Sequence, residues 1–412
     1  MASVRLATGL ALLEGLGSFA GVQAQAASPA ERPLPEQAQI IDQKSFLVLD
    51  EVLPPTKANA TTEFLWPGVT HESLTEKPFH VYDPDFYDII GSDPSLTLLA
   101  SSDSDPLFHE AVTWYPPTDE VFFVQNAGAP AAGTGLNKSS IVQKISLADA
   151  EALRNGSLGA EAVTVHTVPS NPQVINPNGG TNYKGNIIFA GEGQGENVPS
   201  ALYLMNPVEP YNTTLLANNY FGRQFNSLND VSVNPRNGDI YFTDTQYGYW
   251  QYFRPEPGLP NQVYRLNPET GALTVVSDAF VSPNGLTFSP DGSYTYVTDT
   301  GMSQALFGTN MTKPATVYRF DVQPDGTWEN RKTFAHVHAR LPDGIHCDSK
   351  GNVYAGTNDG VHVWNNSGKL LGKIYTGIVA ANFQFAGEGR MIIMGKTKLF
   401  YATLAASGVA LQ

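Results

Sequence analysis

The stretch SPNGLTFSPDGSYTYVTD, residues 282–299, has the pattern of two β-strands joined by a tight turn. Asp291-Gly292 is a strong hairpin signal, because glycine accepts the left-handed backbone that such turns need. The Tyr, Thr and Val residues that follow favour a strand. Closely similar stretches stand at residues 227–244, SLNDVSVNPRNGDIYFTD, and 341–356, LPDGIHCDSKGNVYAG. The sequence therefore predicts a repeated unit built from β-hairpins.

Further strand-like segments extend each unit. Third strands are predicted at residues 262–266, 316–320 and 361–364. Weaker copies of the unit begin near Glu110, Asn182 and Asn382, which brings the total to about six. A solenoid would share this pattern, but a closed propeller of four-stranded blades fits it better. We therefore expect an all-β propeller whose inner strands meet around a central channel.

The composition of the 412 residues agrees with that fold, since 38 Gly and 29 Pro favour short strands and turns over long helices. Residues 1–26 are predicted to be a signal peptide, with Arg5, a mostly apolar run and the cleavage site Ala24-Gln25-Ala26; a disordered N-terminus is the alternative. Residues 27–96 are predicted to be an irregular, Pro-rich extension with one strand-like run, residues 45–49. The propeller is predicted at residues 97–405, followed by a tail, residues 406–412.

Several features predict a secreted glycoprotein. Asn-x-Ser/Thr sequons occur at Asn59, Asn137, Asn155, Asn212, Asn310 and Asn365. Cys347 is the single cysteine, so no disulfide can form within the chain. The net charge of −15 argues against a nucleic-acid partner, which needs a basic face. No stretch after the signal peptide is apolar enough to span a bilayer, so no membrane partner is expected.

Oxygen-bearing side chains recur just before the first strand of a unit. They stand in the motifs FHEA (108–111), SLND (227–230), SPNG (282–285) and LPDG (341–344), as Glu110, Asn229, Asn284 and Asp343. The last three follow one another at 55 and 59 residues, from 229 to 284 and from 284 to 343. One ligand per repeat, converging on the propeller axis, would give a central site. Mixed carboxylate and amide oxygens suit Ca²⁺, although another divalent metal is possible. The alternative is that these motifs are merely turns.

Residues 97–405 resemble the senescence marker protein, gluconolactonase and luciferin-regenerating-enzyme family, most closely its secreted fungal lactonohydrolases. The resemblance implies a six-bladed propeller with a central divalent metal, usually Ca²⁺. It implies the ligands Glu110, Asn229, Asn284 and Asp343, although the Glu-Gly-Pro common elsewhere in the family is replaced here by Glu110-Ala111-Val112. It also implies that Asp343 acts as base or nucleophile.

The expected function is a calcium-dependent hydrolase that opens a lactone ring to a hydroxy acid. A phosphotriesterase on the same metal site, or a binding propeller in which Ca²⁺ only joins the blades, are the alternatives.

Two segments are expected to shape the pocket of this lactonase. Glu192 or Gln194 would face the channel from a Gly-rich stretch, residues 191–196, which could equally be a surface turn. Tyr247 and Trp250 would form part of an aromatic wall over the substrate, or else cover a blade edge. Strand alternation predicts that His109 points away from Glu110 and packs within a blade.

Overall fold

The computed structural model describes residues 32–58 and 64–411. The predicted signal peptide and the sequon at Asn59 lie outside the described residues. Leu34–Gln412 forms one compact unit.

The described residues fold into short strands. Strands β1 to β26 are, in chain order, Ala38–Ile40, Phe79–Val81, Ser95–Ser101, Glu110–Tyr115, Glu120–Val124, Val142–Ser146, His166–Val168, Pro177–Tyr183, Asn186–Gly191, Ala201–Met205, Thr213–Ala217, Ser227–Val233, Ile240–Thr245, Gln262–Leu266, Leu273–Ser277, Pro283–Phe288, Tyr294–Asp299, Thr316–Val322, Trp328–His336, Ile345–Cys347, Val353–Thr357, Gly360–Trp364, Leu370–Tyr375, Asn382–Phe385, Glu388–Met394 and Lys398–Ser407.

These strands form six sheets, the blades of a propeller, in which all pairs are antiparallel except the parallel pair β1–β2. Blades 1 to 4 are β4–β7, β8–β11, β12–β15 and β16–β19. Blade 5 is β20–β23, which β2 and β1 extend at its outer edge. Blade 6 is β24–β26 with β3 as its outer strand. The innermost strands contact one another in sequence around the ring, and β24 contacts β4 to close it. The predicted all-β, six-bladed propeller is confirmed.

Helices are few and short. The α-helices α1 to α4 are His71–Glu76, Tyr87–Ile90, Leu147–Arg154 and Tyr247–Trp250, and 3₁₀ turns lie at Gln43–Phe46, Pro84–Phe86 and Ala305–Phe307. Over the described part of the chain, none of the helices has the length and apolar character needed to cross a membrane.

Apolar residues between neighbouring blades form the core. Tyr241 of blade 3 is fully buried and stacks on Trp328 of blade 4, with ring centroids 5.5 Å apart and planes 11° from parallel. The hydroxyl of Tyr241 donates a 2.9 Å hydrogen bond to the carbonyl of Gly326. Burying large aromatic rings with their polar ends satisfied stabilises the contact between blades.

The N-terminal extension runs over blade 5 before it enters the ring. The strand expected at residues 45–49 does not form, because its first two residues belong to the 3₁₀ turn Gln43–Phe46 and the rest are irregular. Asp42 caps this turn by accepting a hydrogen bond from the backbone N–H of Lys44. Leu47 and Val48 are 76% and 88% exposed, so packing of their side chains does not stabilise an extended strand there. Farther along, β3 pairs with β26, so a strand near the start of the fold completes the last blade.

Candidate functional site

A β-bulge interrupts the innermost strand of several blades at the same place. In blade 3, Leu228 pairs with Asp244 and Val231 pairs with Phe242, which leaves Asn229 in the bulge. Blade 4 repeats the register shift between its residues 283 and 286, with Asn284 in the bulge. Bulges re-aim side chains relative to the regular pleat. Here they carry both asparagines to the lining of the channel.

Asp343 of blade 5 stands at the same point. Ile345 pairs with Ala355 as Val231 pairs with Phe242 in blade 3, so Asp343 corresponds to Asn229. Its backbone N–H donates a 2.9 Å hydrogen bond to the carbonyl of Gly356. Because this position recurs from blade to blade, the spacing in sequence translates into convergence in space.

Blade 2 supplies an asparagine that the sequence analysis missed. Pro177 pairs with Gly191 and Gly180 with Phe189, so Asn178 occupies the bulge position and lines the cavity. Its amide donates a 3.1 Å hydrogen bond to the carbonyl of Asn229. A signal was present, since Pro-Asn-Gly at 177–179 repeats the motif at 283–285. The weak copy of the repeat was expected near Asn182, four residues too late.

Blade 1 departs from this register. Glu110 pairs with Val124 and Thr113 with Phe122, so Ala111 holds the bulge position and has φ 51°. Glu110 therefore lies one residue before the bulge position that the asparagines occupy in blades 2, 3 and 4. Its side chain is longer than theirs and lines the same cavity.

His109 also lines this cavity, which corrects the prediction that it faces away from Glu110. Strand alternation does not apply to it, because β4 begins at Glu110.

Repeated Thr-Asp pairs hold these bulges in place. Thr243 and Thr298 lie near the ends of the second strands of blades 3 and 4. Their hydroxyls donate to the backbone carbonyls of Asn284 and Asp343, at 2.8 and 2.9 Å. The next residue, Asp244, accepts the backbone N–H groups at positions 226 and 227, and Asp299 does the same at positions 281 and 282. One dipeptide thus fixes its own blade and the bulge of the next.

The predicted ligand residues meet in one cavity of about 430 Å³ at the mouth of the channel. Glu110, Asn229 and Asn284 are buried, and Asp343 is partly exposed to the cavity. No group of three or more His, Cys, Asp or Glu side chains is placed to hold a metal within residues 32–58 and 64–411. The channel set instead pairs two carboxylates with two amides, all of them oxygen donors, and such a set fits a hard cation.

The two carboxyl groups interact directly. Burial raises the pKa of Glu110 well above its usual value, and the charge of Asp343 raises it further, while a 2.5 Å hydrogen bond from the amide of Asn382 lowers it. Burial also raises the pKa of Asp343, to about 6, although Lys396 and a hydrogen bond from Asn284 lower it. The charge of Asp343 raises the pKa of Glu110, whereas a hydrogen bond from Glu110 lowers the pKa of Asp343. The pair therefore holds its first negative charge on Asp343, and a bound cation would favour the ionisation of Glu110 as well.

Of the residues expected to contact substrate, two line the cavity. Glu192 lines it and accepts a 2.8 Å hydrogen bond from the hydroxyl of Ser227. Burial raises the pKa of Glu192 to about 8. Tyr247 also lines the cavity, and burial raises its pKa too.

The other two residues lie behind this lining. Gln194 donates a 2.6 Å hydrogen bond to the carbonyl of Gly135. Trp250 packs edge-on against Tyr247, with centroids 5.5 Å apart. Trp250 therefore supports the aromatic wall, and Tyr247 is the part that faces the channel.

Lys396 had no signal in the sequence, and Asn382 was expected only to begin a weaker copy of the repeat. Lys396 lines the cavity from the turn after β25, with φ 60°, and its charge acts on Asp343. Asn382 opens the inner strand of blade 6, where the repeat is weakest. Their proximity to the site is a product of ring closure and is not encoded in a local motif.

Known proteins share this architecture. A family model described as SMP-30/Gluconolactonase/LRE-like region matches residues 181–394. Lactonohydrolase oryL of Aspergillus oryzae is 29% identical over 73% of this chain and 68% of its own length. Lactonohydrolase oryH of the same species is 25% identical over 79% of this chain and 80% of its own length.

A solved structure of a gluconolactonase from Xanthomonas campestris superposes with a TM-score of 0.61 at 24% identity, over 79% of this chain and 94% of that one. At that identity the superposition supports the fold alone, but the family model spans more than half of the chain, from blade 2 to blade 6. The chain belongs to the SMP-30/gluconolactonase/LRE-like family.

Proposed function

We propose that this protein is a calcium-dependent lactonase that opens a lactone ring to a hydroxy acid. The observation that carries the proposal is the convergence of Glu110, Asn229, Asn284 and Asp343 on one cavity. The relatives named lactonohydrolase support the reaction class. Another divalent metal would suit the same oxygen set.

The four oxygen residues would hold the cation, each from a different blade. When bound, Ca²⁺ would polarise the lactone carbonyl and favour negative charge on its oxygen. The hydroxyl of Thr298 donates a hydrogen bond to the backbone carbonyl of Asp343. This bond would fix the backbone of Asp343 and so help to direct its side-chain carboxylate into the channel. Four separate blades therefore fix the geometry, so little reorganisation is needed when substrate binds.

Asp343 has two possible roles in opening the ring. Its carboxylate would either take a proton from the attacking water or attack the carbonyl carbon itself. In the first role the water oxygen forms the new bond to carbon, the ring C–O bond breaks, and the ring oxygen receives a proton. The product is an open-chain hydroxy acid, which carries a carboxylic acid and an alcohol. In the second role the carboxylate oxygen forms a mixed anhydride with the carbonyl carbon, the ring C–O bond breaks and the ring oxygen takes up a proton. Water would then hydrolyse the anhydride, which frees Asp343 and gives the same hydroxy acid.

Glu192 and Tyr247 would orient the substrate. A carboxyl group with a pKa of about 8 is protonated at neutral pH, so Glu192 can donate a hydrogen bond to an oxygen of the lactone. Tyr247 can do the same with its phenol. The volume of about 430 Å³ suits a small molecule.

The test is hydrolysis of a panel of 1,4-lactones with and without a calcium chelator. The release of acid measures the rate. We expect activity that chelation abolishes and Ca²⁺ restores. Replacing Asp343 by Asn, the residue that stands at the matching position of blades 3 and 4, should lower kcat by at least about 100-fold. Asp325→Asn, on an exposed turn, is the matched control.

Calcium binding is measured separately, through the midpoint of thermal unfolding. A ligand that binds only the folded state raises this midpoint. We expect Ca²⁺ to raise it in the unaltered protein and to do so much less in Asp343→Asn. A calcium-dependent rise without hydrolysis of any lactone would favour a binding propeller, and hydrolysis of a phosphotriester alone would favour a phosphotriesterase.

A further inference from the structure

The channel cavity changes from polar at its inner end to apolar at its mouth. The proposed ligand residues Glu110, Asn229 and Asn284 are buried and carry oxygen. Some of the other lining residues are apolar and come from connections between strands: Ala129, Pro130, Ala131, Ala305, Leu306 and Leu341. We call these residues the apolar collar. Pro130, Ala131 and Leu306 are exposed, so the collar lies on the solvent side of the oxygen residues.

The topology of the blades explains why these connections reach the mouth. Each inner strand begins at the end of the channel where the oxygen residues lie, and the antiparallel second strand returns to that end. The connection from the second strand to the third therefore starts beside the site. It comprises residues 125–141 in blade 1 and residues 300–315 in blade 4. Blades 1 and 4 are opposite each other in the ring, so these two connections bound the mouth from opposite sides.

Close packing fixes the blade 1 part of the collar. The hydroxyl of Thr134 donates a 2.6 Å hydrogen bond to the carbonyl of Asn126 and accepts a 3.2 Å bond from the backbone N–H of Ala129. A Cβ atom on Gly128 would lie 2.8 Å from the ring of Phe253, which is buried in the insertion of blade 3. Only glycine permits this approach. The loop is therefore anchored on blade 3, and the residues after Gly128 keep their place at the mouth.

Aromatic contacts fix the blade 4 part. The ring centroid of Phe307 lies 5.3 Å from that of Tyr249 and 5.4 Å from that of Tyr252, in and next to α4. These contacts hold the neighbouring residue, Leu306, which lines the cavity and is nevertheless 50% exposed. An exposed leucine at a concave site gains free energy when an apolar group covers it. The collar therefore favours a ligand that is apolar at its outer end.

We propose that the collar holds an apolar substituent of the substrate, so that the substrate class is a 1,4-lactone with an alkyl side chain. This inference rests on the proposed lactonase function, which places the ring carbonyl at the oxygen residues. Since these residues occupy the inner end of the cavity, a substituent on the ring extends toward the mouth. A polyhydroxylated lactone would instead put hydroxyl groups against alanine, proline and leucine side chains, which offer no hydrogen bonds.

Hydrolysis of lactones of increasing chain length tests the collar. From γ-butyrolactone to γ-octalactone, kcat/KM should rise about twofold for each added methylene. Full burial of a methylene would give about fourfold, but the mouth is open to solvent. The rise should come from a lower KM, because the chain takes no part in the reaction. Equal kcat/KM along the series, or a higher value for glucono-1,4-lactone than for γ-octalactone, would overturn the proposal.

Leu306 is the collar residue whose substitution is most informative. Leu306→Ser should reduce the preference for γ-octalactone over γ-butyrolactone about fivefold. Leu306→Met keeps the apolar surface and should retain most of that preference. Leu215→Ser is the matched control, because Leu215 is 57% exposed on the outer strand of blade 2 and does not line the cavity. An unchanged preference in Leu306→Ser would mean that the collar does not select the chain.

Binding of ketone analogues separates the collar from lactone hydrolysis. Cyclopentanone and 2-butylcyclopentanone carry the ring carbonyl but have no ester bond for water to open. Isothermal titration of the full-length protein with Ca²⁺ present should show about tenfold tighter binding of the butyl compound, and Leu306→Ser should reduce this difference. That result without hydrolysis of any lactone would refute the lactonase function and support the collar. Lactone hydrolysis with equal or absent binding of the two ketones would refute the collar alone.

Discussion

Glu192 is expected to keep its proton at neutral pH. Burial raises its pKa from about 4.5 to about 8, and the hydrogen bond from Ser227 and the charge of Arg254 only partly oppose this. In the unfolded chain the same group ionises near pH 4.5. Between these two values the folded state therefore binds more protons than the unfolded state. Stability that is fully present below pH 4.5 is lost as the pH rises through 8.

Glu192→Gln should remove this dependence, because the amide has no proton to lose. From pH 5 to pH 9 the free energy of unfolding of the unaltered protein should fall by a few kcal/mol more than that of the variant. Urea unfolding at pH 5, 7 and 9 measures the difference. Glu196→Gln, on the exposed part of the same loop, is the control. Parallel pH profiles for Glu192→Gln and the unaltered protein would show that Glu192 is ionised in the fold.

At the level of elements, a hydrogen bond from the second strand of one blade holds the inner-strand segment of the next blade in place. Thr298→Val keeps the shape of a buried side chain but removes the hydrogen bond to the carbonyl of Asp343. Thr295→Val removes a similar 2.9 Å bond, to Thr287 within blade 4. Both variants should lose about 1–3 kcal/mol of stability. Only Thr298→Val should weaken calcium affinity, by at least about tenfold, since Thr298 supports the proposed ligand residue Asp343.

Calorimetric titration of Ca²⁺ into both variants measures this difference. Equal calcium affinities in the two threonine variants would count against the proposed role of the Thr-Asp pair at the site.

Local signals explain why most of the inner strands could be predicted. The alternating pattern and Gly-containing turns at 227–244 and 282–299 specify hairpins without reference to the rest of the chain. The strand at Pro177–Tyr183 reads PNGGTNY and has no such alternation, which is why Asn178 was missed. The place of Lys396 at the cavity and the hydrogen bond from Asn382 to Glu110 depend on contacts between distant segments. No local pattern encodes them, so they appear only when the ring is closed.

At the level of the whole molecule, β3 closes the propeller. Leu99 of this strand is fully buried, whereas its neighbour Leu98 faces outward and is 44% exposed. Leu99→Ala should lower the free energy of unfolding by about 2–5 kcal/mol, because it leaves a cavity at the closing seam. Leu98→Ala should change it by less than about 0.5 kcal/mol. Urea unfolding compares the two, and equal losses would mean that the seam does not limit stability.

Secretion and glycosylation remain predictions. The exposure of each sequon in the fold makes the prediction of glycosylation specific to individual sites. The sequons at Asn137, Asn155 and Asn212 are exposed, whereas Asn310 and Asn365 are partly buried. In a secretory eukaryotic host we expect the first three to carry glycans more fully. Mass spectrometry before and after glycan removal measures occupancy at each site. A secreted protein without glycans at the exposed sites would contradict this expectation.

The pairing of β3 with β26 also means that β3 must wait for its partner strand during biosynthesis. Ser101 ends one strand and Lys398 begins the other, so nearly 300 residues must be translated between them. At about 5–20 residues per second, the ribosome takes roughly 15–60 s to cover that distance. Through that interval β3 has a bare edge and an apolar face, both of which invite aggregation. The nascent chain therefore carries this unpaired strand from early in synthesis almost to the end.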